Sequence, residues 1–335
     1  MIWLAWRQSR AQVLTVAIVL LAFVIALLVT WGQVADVARD AGLAGCQGGA
    51  CDAVSRAMFV QVAGVLYYAG TGVLLVLPVL LGTFWGAPMV ARELETGTYR
   101  LIFSQSVRRD RWLLMKLSIG GGAAALCAGL VSLVLTWWAG PVDRAGGTRI
   151  EPLVFTARGL VPIGYAALAF VLGVLIGLVL RRTLVAMAVT LLAVVAVQAG
   201  VAVVLPSVLA RPVTTISALA PNASFGLSVD HATGEAHVDI DGHVPDGWVL
   251  STTAVTSIGA DFHAKADPSC LPSPATPGVT GECQAWVRAQ HLSQKITYVP
   301  ESEFWPLQWR GFGVLAVLAL GLAWFALWWI RRRLT

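Results

Sequence analysis

Long apolar stretches alternate with short polar segments over most of the chain. A helix needs about 20 mainly apolar residues to cross the hydrocarbon core of a bilayer, and six stretches meet that requirement. The helices predicted to span the membrane run from Val13 to Trp31, Met58 to Trp85, Leu113 to Ala139, Leu160 to Leu180, Thr183 to Leu205 and Phe312 to Ile330. The pattern therefore predicts an all-α polytopic membrane protein with six transmembrane helices.

The positive charges between these helices predict which side of the membrane each segment faces. With the N-terminus in the cytoplasm, more than half of the 23 lysine and arginine residues lie on that side. Only three acidic residues accompany them there: Glu93, Glu95 and Asp110. Because cytoplasmic loops carry an excess of lysine and arginine, the pattern places both termini in the cytoplasm.

The segments outside the predicted helices differ from one another in composition. Residues 206–310 hold all five histidines and most of the acidic residues. We predict that they form a small extracytoplasmic domain of mixed α/β structure between helices 5 and 6, in which Asp241–Gly242 is typical of a hairpin turn. The predicted organisation has four parts. A short N-terminal segment (residues 1–12) precedes helices 1–5 (13–205), which include a basic cytoplasmic segment at 86–112. The extracytoplasmic domain (206–310) follows, and helix 6 with a basic tail (311–335) comes last.

Composition agrees with a membrane location. Apolar residues make up 57% of the chain and charged residues only 12%, against roughly 25% charged residues in a soluble domain. The net charge of +5 comes from basic residues that flank apolar stretches, so the expected partner for these charges is the lipid bilayer. Nucleic acid is not an expected partner.

Four of the five cysteines lie in two predicted outside loops. Cys46 and Cys51 are in one loop, and Cys270 and Cys283 are in the other. Neither pair has histidines clustered beside it, so their spacing does not indicate a zinc site, and we predict no bound metal. In an oxidising exterior two local disulfides are expected; free thiols are the alternative.

The sequence lacks the groups that would let this chain harvest energy itself. It contains no G-x4-G-K-[ST] phosphate-binding loop. The central portions of the predicted helices contain no charged residue or histidine, whereas ion-coupled transport uses such groups within the membrane. We therefore predict that the chain is not an enzyme and receives energy from another subunit.

A few polar side chains and small residues within the predicted helices are candidates for contacts with a substrate or another helix. Gly82 with Gly86, and Gly173 with Gly177, form G-x-x-x-G motifs, which let helices approach closely either within the chain or between subunits. The polar candidates for a substrate path are Gln61, Tyr67, Tyr68, Thr71 and Gln198. Interhelical hydrogen bonds are the alternative role, and we favour it.

The segment between the second and third predicted helices carries the most informative motif. Glu93, Gly97 and Thr98 form an E-x-x-x-G-T pattern, two arginines follow at 108 and 109, and Lys116 opens the next helix. This arrangement resembles the ABC-2 type permeases, the type V exporter-like class, in which a short coupling helix lies between the two parts. Gln105-Ser106 stands where a proline is common in that class.

The resemblance extends beyond this segment. Residues 1–12 are similar to the amphipathic connecting helix of the class. The stretch ITYVPESEFWPLQW before the last predicted helix and the closing WWIRRR resemble a subgroup of these permeases found in actinobacteria. The number of helices and the cytoplasmic termini also agree with the class.

The resemblance implies a role for the cytoplasmic segment in coupling to an ATPase. Apolar and aromatic side chains would anchor in a cleft of the ATPase, and the arginines would lie at the rim of that interface. The residues implied are Glu93, Gly97, Thr98, Tyr99, Arg100, Leu101, Phe103, Arg108 and Arg109. The alternative is that these arginines only set topology and bind lipid headgroups.

The family resemblance also implies a function. It is that of the membrane-spanning permease subunit of an ABC exporter of the multidrug-efflux type, which moves an apolar or amphipathic compound outward. Two copies of a separate ATPase subunit would bind ATP and Mg²⁺, and a second permease copy or a paralogue would complete the assembly in the bacterial cytoplasmic membrane. The alternative is a membrane-anchored sensor or scaffold whose extracytoplasmic domain binds a ligand.

Overall fold

The structure is a computed structural model whose described residues fall into two compact units. They are 18, 21–36, 39–40, 53–99, 103, 108–144, 149–218, 225–229, 235–240, 244, 247–257, 259–270 and 281–333, with only the backbone described over 53–62. The first unit is Met1–Leu209 together with Phe304–Thr335, and the second is Ala210–Glu303.

Helices form the first unit, and the second unit is mixed. The helices are α1 (Leu21–Asp36), α2 (Ala53–Leu80), α3 (Ala87–Glu95), α4 (Arg109–Trp138), α5 (Gly140–Arg144), α6 (Pro152–Ala157), α7 (Val161–Leu180), α8 (Thr183–Leu209), α9 (Gly281–Ala289) and α10 (Phe304–Arg333). The strands are β1 (Val213–Ala218), β2 (Phe225–Val229), β3 (Ala236–Ile240), β4 (Gly247–Val255) and β5 (Ser293–Pro300). A π-helical turn, Leu81–Gly86, joins α2 to α3 without a break.

Within the described residues, five helical segments are long and apolar enough to cross a membrane. They are Ala63–Glu95, Arg109–Trp138, Val161–Leu180, Thr183–Val204 and Glu301–Arg332. The mostly helical, polytopic fold predicted above is therefore confirmed. The described part of the first predicted span is the shorter apolar helix α1, so a sixth crossing and the side on which each terminus lies stay predictions.

Helix α7 lies at the centre of the first unit. It contacts α3, α4, α8, α10 and the π-helical turn. Its side chains are almost all apolar, and most are buried, including Phe170 and Val174. Helix α7 has no polar face, and a helix that is apolar on all sides is typically buried among its neighbours or in the bilayer.

Glycines set the distance between α7 and the helix before the basic segment. A side chain on Gly82 would place its Cβ 2.7 Å from the Ala169 carbonyl oxygen, and one on Gly177 would lie 2.6 Å from the Ala87 oxygen. Gly173 likewise faces the Gly82 carbonyl oxygen. These backbones touch because no side chain separates them, so the G-x-x-x-G glycines pack within one chain.

The second membrane helix extends further than its hydrophobic pattern indicates. The pattern ends at Trp85, but the chain continues through the π-helical turn and α3 as far as Glu95. Four residues of α3, Ala87, Val90, Ala91 and Leu94, are buried, and α3 contacts α7 and α8. Packing on these neighbours supports a helix whose other face is charged.

Two antiparallel sheets and one helix form the second unit. One sheet has the order β1-β5-β4, and the other pairs β2 with β3. A small core contains Val238, Ile240, Val287 and Leu292. Strand β3 therefore pairs with β2, the strand before it. The predicted turn at Asp241 and Gly242 lies outside the described residues.

Candidate coupling site

An ion pair joins the helix before the basic segment to the helix after it. The Lys116 Nζ of α4 lies 2.7 Å from the Glu93 Oε1 of α3, and the two side chains are only 13% and 14% exposed. The same ammonium donates a hydrogen bond to the Met89 carbonyl oxygen at 2.9 Å and lies 4.6 Å from the centre of the Trp112 ring. Because three partners hold one lysine, the two ends of the basic segment are fixed relative to each other.

The E-x-x-x-G-T motif forms the C-terminal end of α3. The Thr96 amide donates to the Arg92 carbonyl oxygen at 3.0 Å, and Gly97 then adopts φ = +72°. The left-handed region favours glycine, which commonly ends a helix in this way. The Thr98 hydroxyl donates to the Glu93 carbonyl oxygen at 3.4 Å, so the motif turns the chain sharply away from the helix axis.

Aromatic side chains predicted as anchors pack on the bundle. Phe103 lies between Tyr99 and Trp112, with ring centroids 5.9 and 5.8 Å away. All three rings contact the apolar core, and the Arg109 guanidinium lies 5.6 Å from the Phe103 centroid. The predicted residues Arg100 and Leu101 lie outside the described part of the chain.

Two further contacts connect this end of the bundle to α8 and α10. The Glu95 carboxylate accepts a hydrogen bond from the Thr183 amide at 2.9 Å, so α3 caps the N-terminus of α8. Asp110 accepts hydrogen bonds from Arg108 at 3.0 Å and Arg331 at 3.1 Å. Sequence analysis missed Thr183 and Arg331 as site residues. For Thr183, the local sign was its position at a helix start directly after Arg181-Arg182.

The comparisons identify the family of this chain. A family model described as "ABC-2 membrane transporter related" matches residues 17–205. The chain belongs to this family. No curated protein and no solved structure matches it.

Membership confirms the resemblance drawn from the cytoplasmic motif. The matched range includes Glu93, Lys116 and the whole segment between them. The chain is a multi-pass membrane protein of a permease family. Permeases of this family are transport components that are not themselves catalytic, and they normally work with an ABC ATPase partner. Assignment to an actinobacterial subgroup stays a prediction.

Polar residues within the permease helices mostly bond to the chain's own backbone. The Thr71 hydroxyl donates to the Tyr67 carbonyl oxygen at 2.9 Å. The Gln198 amide donates from α8 to the Leu75 carbonyl oxygen of α2 at 3.0 Å. The Gln198 contact joins two helices and favours interhelical packing as its role, whereas the Thr71 contact lies within α2. Tyr68 is exposed. The side chain of Gln61 lies outside the described part of the structure.

At the opposite end of the permease bundle an ion pair is buried. The Arg158 guanidinium donates to both Asp143 oxygens at 2.8 and 2.9 Å, and its side chain is 1% exposed. It also lies 4.8 Å from the Tyr67 ring centroid. Burial raises the pKa of the Asp143 carboxyl, and the adjacent Arg158 guanidinium opposes that rise. Tyr67, predicted to line a substrate path, is thus held in this cluster.

Gln308 fastens the last permease helix to the same end. Its amide nitrogen donates to the Phe155 carbonyl oxygen at 2.9 Å. Its oxygen accepts hydrogen bonds from the Leu160 amide at 2.9 Å and the Val161 amide at 3.0 Å. A buried glutamine satisfied in this way ties α10 to the start of α7. Sequence analysis missed this residue because glutamine carries no motif.

The cysteines and metal-binding side chains complete the account of predicted sites. Cys270 and Cys283 form a disulfide in the second unit, whereas Cys46 and Cys51 lie outside the described residues. Among the residues that the structure describes, no group of three or more His, Cys, Asp or Glu side chains is arranged to hold a metal ion.

Proposed function

We propose that this chain is the permease subunit of an ABC exporter, which moves an apolar or amphipathic compound outward across the bacterial cytoplasmic membrane. ATP and Mg²⁺ would be bound by two copies of a separate ATPase subunit. A second permease copy or a paralogue would form the other half of the pathway. Family membership and the lack of a phosphate-binding loop in the sequence support this assignment.

The observation that carries the proposal is the Glu93–Lys116 ion pair. Helix α3 ends before Gly97 and α4 begins at Arg109, and the ion pair joins these two helices on either side of the basic segment. Helix α3 continues without a break into α2 through the π-helical turn. A force that an ATPase applies to this segment would therefore move α2 and α4 together rather than bend the segment alone.

The exposed arginines of the segment supply the surface for the ATPase. Arg108 is 78% exposed, and Arg109 is exposed beside Phe103. Glu93, Gly97, Thr98, Tyr99 and Phe103 would act by shaping and stiffening the segment. Arg108 and Arg109, with Arg100 and Leu101, would meet the partner.

The transported compound would pass between two permeases along α2 and α8. Both helices present large apolar side chains that the chain itself does not cover, such as Val65 and Val76 on α2 and Leu184 and Leu192 on α8. The described side chains of these two helices, 63–80 on α2 and 183–204 with 208–209 on α8, include no charged group. Such a surface suits an apolar or amphipathic compound. Tyr68 is the polar candidate on this path.

Reconstitution with and without an ATPase tests the proposal. The chain would be co-purified with an ABC ATPase, and ATP hydrolysis and dye export would be measured in proteoliposomes. We expect the chain alone to hydrolyse no ATP. The Glu93→Gln complex should keep hydrolysis but lose most of its transport, because the stiffening contact is gone.

A matched control and the contrary outcomes define the test. Glu282→Gln removes an exposed carboxylate from α9 in the second unit and should leave transport unchanged. Export by the chain in liposomes without an ATPase would refute the proposal, as would normal transport by Glu93→Gln. Failure of any ATPase to co-purify, with ligand binding by residues 210–303 of the full chain, would favour the sensor or scaffold instead.

A further inference from the structure

An open cavity of about 220 Å³ lies where α4 begins and α10 ends. A water molecule in the liquid occupies about 30 Å³, so the space is large enough for a group of several heavy atoms. Three arginines, one aspartate and two leucines line it: Arg108, Asp110, Arg111, Leu114, Leu327 and Arg331.

The charged part of the lining has an excess of positive charge. A single carboxylate, that of Asp110, lies between the Arg108 and Arg331 guanidinium groups at 3.0 and 3.1 Å. Among the residues that the structure describes, the exposed Arg111 side chain has no ion-pair partner. The Asp110 carboxylate thus positions the Arg108 and Arg331 side chains, but its single negative charge does not balance the positive charge of the three arginines. Guanidinium groups gathered in this way bind phosphate through several charge-assisted hydrogen bonds.

The rest of the lining is apolar and belongs to the same two helices. Leu114 lies one turn inside α4 from Arg111, and Leu327 lies one turn inside α10 from Arg331. Leu114 is 53% exposed. Each helix therefore presents an arginine at its end and a leucine one turn deeper. A free phosphate ion would gain nothing from the leucines, whereas a phospholipid carries a phosphate directly above hydrocarbon.

The cavity also lies at the depth where headgroups are found. One candidate membrane span begins at Arg109 and another ends at Arg332. By the distribution of arginine and lysine, this end faces the cytoplasm, whose leaflet carries the anionic lipids. Charge, chemistry and depth thus agree on one class of occupant.

We propose that this cavity binds the headgroup phosphate of an anionic phospholipid. Arg111 and Arg331 hold the phosphate, and Leu114 and Leu327 contact the upper part of the acyl chains. The site requires only that the chain is embedded in a bilayer, so it stands or falls independently of the proposed coupling to an ATPase.

Lipid retention by the purified full chain tests this assignment. Native mass spectrometry in detergent would measure dissociation constants for dioleoylphosphatidylglycerol and dioleoylphosphatidylcholine. The variants are Arg111→Gln and Arg331→Gln, which both spare Arg108, a residue of the proposed coupling surface. Arg332→Gln is the matched control, because Arg332 is the adjacent exposed arginine and lies over the Trp328 ring at 4.9 Å rather than on the cavity.

We expect one phosphatidylglycerol to bind the wild-type chain more tightly than phosphatidylcholine. Each cavity arginine removed should weaken that binding about fivefold, and removal of both about thirtyfold. Arg332→Gln should change it less than twofold. Arg111→Gln is the decisive single variant, because its side chain has no ion pair whose loss would disturb the fold.

Four results would overturn the assignment. The first is equal retention of the two lipids by the wild-type chain. The second is an Arg332→Gln effect as large as that of Arg331→Gln, which would mean that diffuse charge rather than the cavity binds lipid. The third is displacement of phosphatidylglycerol by inorganic phosphate at equal concentration, which would make the site one for a soluble anion. Loss of ATPase co-purification in Arg111→Gln with lipid retention intact would also reject it, and would assign the cavity to the partner protein.

Discussion

The two ends of the helical bundle use charged residues in different ways. At one end Arg158 and Asp143 form an ion pair with the arginine fully buried, and Tyr67 covers the guanidinium. At the other end the Glu93–Lys116 pair is partly accessible, and exposed arginines surround it. Both ends join several helices, and at the second end the exposed arginines belong to the segment between α3 and α4.

Under the proposed function, this difference separates an end that stays closed from an end that would receive a force from the ATPase. A buried ion pair resists separation, because each charge would be left unpaired in a region of low dielectric constant. The Glu93–Lys116 side chains are 13% and 14% exposed, so their charges keep some contact with solvent and cost less to rearrange than the Arg158 guanidinium, which is 1% exposed. The Arg158 end therefore holds α2 to the short helices α5 and α6, while the Glu93 end stiffens a segment that a partner can reach.

The largest expected effect is at the buried end. Asp143→Ala should lower the free energy of unfolding by about 3–5 kcal/mol, since it leaves the Arg158 guanidinium buried without its counter-ion. Unfolding of the detergent-solubilised chain in a denaturant titration measures this loss. The double variant Asp143→Ala/Arg158→Met should recover at least half of it, because no uncompensated charge remains. An Asp143→Ala chain as stable as the wild type would show that this end is not held by the pair.

An intermediate effect is expected at the basic end. Glu93→Gln should lower the free energy of unfolding by about 1–2 kcal/mol, because Lys116 keeps its contacts with the Met89 carbonyl and the Trp112 ring. A double-mutant cycle with Lys116→Met isolates the energy of the pair. A loss larger than that of Asp143→Ala would reverse the comparison between the two ends.

The smallest expected effect concerns the cap that joins α3 to α8. Glu95→Ala should shift the unfolding midpoint less than Glu93→Gln, since the carboxylate is exposed and water replaces it readily. Hydrogen exchange of the amides at residues 183–186 measures the local change. Faster exchange there, with unchanged exchange in α7, is the expected result; Glu95→Gln, which keeps an acceptor oxygen, is the control and should be nearly silent.

Local patterns predicted a large part of the fold, and the failures have identifiable causes. Helix α7 was predicted almost residue by residue because its apolar run ends abruptly at Arg181. The end of the second predicted helix was placed too early, at Trp85, because α3 is charged on one face and owes its stability to α7 and α8. Hydropathy indicates whether a segment lies in an apolar environment, but it does not show which other helices pack against that segment.

The candidate site divides in the same way. Gly97 and Glu93 were recognised from a contiguous motif, and the left-handed conformation of Gly97 explains why glycine stands there. Sequence analysis missed three polar residues, Asp143, Arg158 and Gln308. Asp143 and Arg158 pair with each other in a region without a motif, and Gln308 bonds to Phe155, which lies far away along the chain. Polar pairing across such separations leaves no periodic trace in the sequence.

By itself the sequence determined that this is a helical membrane protein, which segments of it are apolar enough to cross a bilayer, and that a basic segment with an E-x-x-x-G-T motif separates two of them. These properties follow from composition and from patterns within one helix or one loop. Only the tertiary structure decided that the glycines of α7 pack against their own chain, that Lys116 reaches back to Glu93, and that three arginines line one cavity with two leucines. Helix packing brings these residues together, and packing depends on the shapes of all the helices at once.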